Sequence, residues 1–176
     1  MKRNILVFGL IAGLILSIYI VLLTTMGEYT GSAVVGYTFM VIAFSLIYVG
    51  IRNFRDKYNE GIISFGKALR IGLGITLIGS TVYVLAWVIA YYCFVPDFMD
   101  RYAGQMIKDA RASGVTGVAL NKKLANIRQM VEWYKKPVWV VLFTYLEVLP
   151  VGILISLFAA LILRRTKPKM SLPATA

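Results

Sequence analysis

VWVVLFTYLEVLPVGILISLFAALIL, residues 138–163, decides the fold. The run is 26 residues long and holds one charge, Glu147, with Pro150 three positions further on. At about 1.5 Å per residue, a helix of this length crosses about 30 Å of hydrocarbon with room for tilt. A carboxylate at that depth is costly, so Glu147 is expected to be protonated, paired or turned toward a wet cavity. Pro150 has no N–H, so the Leu146 carbonyl loses its helical partner. Glu147, Leu146 and Pro150 together form the candidate intramembrane site. Gly152, Ser156 and Ala160 make a stripe of small residues roughly opposite Glu147 on the helical wheel, so both faces ask for protein or water rather than lipid.

Three more apolar runs lie upstream, at 4–26, 33–51 and 71–94. The first follows Lys2 and Arg3. It is too long for a signal-peptide core and ends in TTMGEY, without a small-residue cleavage pattern, so a retained span is expected. Gly9, Gly13 and Ser17 recur every fourth residue, Gly36, Ala43 and Gly50 every seventh, and Gly72, Thr76 and Ser80 every fourth. Each set allows a second helix to approach closely. The turn 27–32, GEYTGS, makes the first two spans antiparallel neighbours. Residues 52–70, RNFRDKYNEGIISFGKALR, mix basic side chains with Ile62, Ile63 and Phe65 and are expected to lie against lipid head groups. Trp87, Tyr91 and Tyr92 suit an aromatic belt at the far end of the third span.

The long polar segment is 95–137. Pro96 suits the first turn of a helix, on which Phe98, Tyr102 and Met106 are spaced by four, with Met99 and Ile107 beside them. Ser113-Gly114 is a stop signal and Thr116 a candidate cap. Leu120, Leu124, Ile127, Val131 and Tyr134 then alternate four and three apart, which predicts an amphipathic helix. The fold expected is all-α: a polytopic membrane protein of four transmembrane helices, with an extracytoplasmic amphipathic helical hairpin between the third and fourth. Residues 164–176 are expected to form a flexible basic tail.

Composition agrees with this. Of 176 residues, 59% are hydrophobic and 15% charged, against about half and a quarter in soluble domains. The net charge of +11 fits basic residues flanking spans and meeting anionic lipid, not nucleic acid. With both termini cytoplasmic, eleven basic residues lie inside, none in the 27–32 turn and eight in the insertion. Histidine is absent and Cys93 is the single cysteine, so the usual zinc and haem sites and the commonest general base are missing. No cofactor, no metal site and no enzymatic activity are expected.

IRNFRDK (51–57), ISFGKA (63–68), PDFMDRYA (96–103), YKKP (134–137) and LEVLPVGILISLFAALILRR (146–165) resemble a bacterial family catalogued as domain of unknown function 4199. The resemblance covers nearly the whole chain. It implies a four-helix membrane protein found largely in Gram-negative bacteria, hence an inner-membrane location. It carries over no functional residue.

The leading functional expectation is a non-catalytic scaffold or accessory subunit, whose partners are the bilayer and either a second copy or another membrane protein. One alternative is a small oligomeric transporter or channel with Glu147 as its proton or cation site. Another is a lipid-modifying enzyme. Polar side chains gathered round Glu147 from other spans favour transport; a dry, singly bonded Glu147 favours the scaffold.

Overall fold

The structure is a computed structural model that describes residues 1–26 and 33–165. Six helices follow one another: α1 (Lys2–Met26), α2 (Ala33–Tyr58), α3 (Phe65–Cys93), α4 (Phe98–Ala112), α5 (Gly117–Tyr134) and α6 (Pro137–Leu163). α1, α2, α3 and α6 are long and apolar enough to cross a membrane. The 27–32 turn and residues 166–176 lie outside the described residues.

The four long helices pack as a square in the order α1, α3, α6, α2, with a lesser α2–α3 contact across one diagonal. Small residues set the approach distances. A methyl group added to Gly9 would lie 2.7 Å from Cβ of Ile78, and one added to Gly13 would lie 2.5 Å from Cβ of Val82. These pairs run in the same direction, so α1 and α3 are parallel. A methyl group on Gly72 would meet Ser156 at 2.9 Å, and one on Gly152 would meet Thr76 at 2.4 Å. Those pairs run oppositely, so α3 and α6 are antiparallel. Gly50 receives Ile75 and Phe8, Gly36 faces Tyr19, and Ala43 and Ala160 are fully buried. Ser17 returns its hydroxyl to the Gly13 carbonyl at 2.8 Å. Within this frame Phe44, Ile47, Ile51, Ile71 and Ile75 are completely buried.

The 52–70 segment is mostly helical, with Arg52, Asp56, Lys57 and Arg70 exposed and Phe54, Arg55, Ile63 and Ala68 buried. α2 continues to Tyr58 and α3 begins at Phe65, so both helices outrun their apolar stretches by about two turns. Ile63 is completely buried and exchanges two backbone hydrogen bonds with Arg165, at 3.0 and 2.9 Å. Arg165 therefore belongs to the fold and not to a flexible tail. Glu60 and Gly61 turn the chain with positive φ, and the Gly61 N–H reaches back to the Arg55 carbonyl. Ser64 caps α3 by accepting from the Lys67 N–H. Asn4 joins α1 to α2 at the same end, donating to the Gly50 carbonyl and accepting from Asn53, both at 2.8 Å.

α4 and α5 form the expected hairpin, broken at 113–116, where Gly114 adopts positive φ. Pro96 stands just ahead of α4 rather than in its first turn, and Thr116 precedes α5 without a side-chain capping bond. The inward line of α4 is Met99, Ala103 and Ala110, rotated from the Phe98–Tyr102–Met106 line, because Tyr102 is partly exposed. On α5, Ile127 is buried at the centre of its predicted stripe.

Candidate functional site

Aromatic contacts dock the hairpin onto the bundle. Trp87 of α3 meets Phe98 of α4 edge-on at 4.8 Å, and Tyr91 meets Tyr134 of α5 at 5.8 Å. Tyr134 in turn stacks on Phe143 of α6, also at 5.8 Å. Trp87 and Tyr91 are each only 8% exposed and pack under the hairpin, whereas Tyr92 of the expected belt stays exposed. Such ring pairs contribute about 0.5–1.5 kcal/mol each beyond burial.

Beneath this roof lies a cavity of about 380 Å³. All six helices reach it. α6 supplies Glu147, Thr144 and Phe143, α3 supplies Tyr83 and Trp87, and α1 supplies Tyr19. Tyr37 of α2 stands at its edge, half exposed, and the hairpin adds Tyr102, Tyr134 and two methionines, Met99 and Met130. Glu147 is the one charged side chain among the described lining residues, and no lysine or arginine lines the cavity there. Its carboxyl is not packed in. Among the described residues it has no hydrogen bond and no ion pair, and it faces phenol groups brought from other helices. Thr144 spends its hydroxyl on the Val140 carbonyl at 2.7 Å. Burial pushes the Tyr134 phenol up to about 12, so this group stays a neutral donor and acceptor at physiological pH.

The side chains of Leu146, Glu147 and Pro150 are all exposed, and of the three only Glu147 lines the cavity. The small stripes lie elsewhere, at the helix contacts. There Thr76 and Ser156 share a hydrogen bond of 3.0 Å, and Ser156 also bonds the Gly152 carbonyl at 2.7 Å. Thr81 bonds the Tyr145 hydroxyl at 2.9 Å. Ser80 is fully buried, and its hydroxyl has no partner among the described residues.

The aromatic walls were missed in the sequence. Tyr19, Tyr37 and Tyr83 come from three different runs, and no spacing within one run links them. Their polar tips inside otherwise apolar helices were the available signal. Glu147 lies ten residues into α6, roughly 15 Å from Pro137. At the end of the bundle away from the hairpin, Ile47, Ile51, Ile63 and Ile71 are completely buried. Among the described residues no group of three His, Cys, Asp or Glu side chains is placed to hold a metal.

Fold and site together define a multi-pass α-helical membrane protein with an acidic, aromatic-walled cavity under an extramembrane hairpin. The chain belongs to the family described as "Protein of unknown function (DUF4199)", which matches residues 7–165. No curated protein and no solved structure matches it.

Proposed function

We propose that this protein is a small, non-enzymatic membrane transporter in which Glu147 is the proton- or cation-binding group. The observation that carries the proposal is the unpaired Glu147 carboxyl facing Tyr19, Tyr83 and Tyr134, contributed by three other helices. A scaffold has no use for an uncompensated carboxyl at membrane depth, whereas an ion-coupled site requires one. Transport by alternating access calls for a second arrangement of the bundle. Four spans are few for a transport unit, so the working form is an oligomer. We place it in a bacterial inner membrane with both termini cytoplasmic. Basic residues of α1, the α2–α3 connection and the end of α6 support that placement, because all of them gather at the end away from the hairpin.

The test uses full-length protein in liposomes on a solid-supported membrane. A proton or sodium concentration jump is expected to give a transient current that Glu147→Gln abolishes while its melting temperature is unchanged. No current from the wild type, or equal currents from both, overturns the proposal in favour of the scaffold.

A further inference from the structure

The chemistry of the cavity also selects its occupant. We infer that the Glu147 cavity binds a hydrophobic organic cation, of the quaternary ammonium or phosphonium type. This rests on the reading of Glu147 as a cation site and narrows it to a class of ligand.

A bare sodium ion needs a shell of several oxygens at close range. Glu147 supplies two charged oxygens, the Thr144 hydroxyl and the tyrosine phenols add only neutral oxygens spread over several helices, and the rest of the lining is aromatic carbon and two thioethers, a surface suited to a cation whose charge is spread over carbon. An organic cation carries its charge spread over carbon. The faces of Tyr, Trp and Phe attract that charge through their quadrupoles, most strongly where water is excluded. Met99 and Met130 add soft, adaptable surface that fits variable shapes. The volume of about 380 Å³ lies in the range that holds small organic molecules. Anions are rejected, since Glu147 and the negative ring faces both repel them. The same carboxylate that neutralises such a ligand can instead take a proton, which is the exchange an ion-coupled transporter needs.

The measurement is binding of tetraphenylphosphonium to full-length protein in nanodiscs, by equilibrium dialysis, with tetraphenylborate as an anion of the same shape. The wild type is expected to bind the cation saturably and not the anion. Glu147→Gln should weaken binding at least tenfold with an unchanged melting temperature. At the exposed edge, Tyr37→Ala should weaken it about threefold to tenfold, and Tyr37→Phe, which keeps the ring face, less than twofold. Equal uptake of both ions, or undiminished binding by Glu147→Gln, overturns the inference. A Glu147-dependent proton-jump current without phosphonium binding refutes the ligand class alone. Phosphonium binding without any such current refutes coupling alone.

Discussion

Gly152 and Thr76 show how much a single hydrogen atom decides here. An added methyl group would sit 2.4 Å from Cγ2 of Thr76, whose β-branched side chain has few alternative rotamers. Gly152→Ala should therefore cost about 1–3 kcal/mol by overpacking. Gly104 in α4 has open space round its missing Cβ, so Gly104→Ala should be neutral or stabilise by up to about 1 kcal/mol through helix propensity. Thermal unfolding in detergent should separate the two, and equal shifts would deny that α3–α6 contact its role. Ser80 gives the opposite expectation. Its buried hydroxyl has no partner among the described residues, so Ser80→Ala should be neutral or raise the melting temperature. A marked loss of stability would mean that the hydroxyl is bonded in the membrane. At this scale the sequence made Glu147 conspicuous, because one charge in a run of 26 residues demands protonation, a partner or a wet cavity. It hid the tyrosines, because an aromatic ring near a span end fits an interfacial belt equally well until tertiary contacts are known.

Among the elements, the hairpin was legible and the α2–α3 connection was not. A 3.6-residue period survives in α5, whose apolar stripe fixes which face turns inward. Ile127 is 6% exposed at the middle of that stripe, while Leu124 is half-buried. Ile127→Asp should place a charge against apolar surface and release the hairpin, and Leu124→Asp should do so less. Limited trypsin digestion reads this directly, through cleavage at Arg111, Lys122 and Lys123 beside the 113–116 break. Unchanged digestion of Ile127→Asp would deny that the hairpin packs. In residues 52–70 the charges hid two helix ends and a buried turn residue, Ile63. The Arg55 side chain is in fact tucked in, paired with Asp56 at 2.6 Å and reaching the Leu163 carbonyl, and Lys67 bonds Asn59 at 2.7 Å. Long basic side chains let a helix continue past the apolar layer while their heads find partners, and no hydropathy pattern reports that.

For the whole molecule, four long apolar runs determined the number of spans, since length against bilayer thickness is a robust measure. The square arrangement was beyond reach, because the small-residue stripes announce close contact without naming the partner helix. Charge distribution bears on orientation. The end away from the hairpin carries Lys2 and Arg3, then Arg52, Arg55, Lys57, Lys67 and Arg70, then Arg164 and Arg165, against Asp56 and Glu60. The hairpin segment carries eight basic residues as well, so the deciding contrast is two, none and five around the first two spans. That contrast should keep the end away from the hairpin in the cytoplasm, with the hairpin facing outward. The chain provides its own reporter. Cys93 is the single cysteine, is exposed, and ends α3 on the hairpin side, whereas Lys57 is exposed at the opposite end. A membrane-impermeant maleimide applied to spheroplasts should label the wild type at Cys93. It should not label a Cys93→Ser, Lys57→Cys variant until the membrane is permeabilised. The reverse pattern would invert the topology and place the hairpin, with the Glu147 cavity beneath it, on the cytoplasmic side.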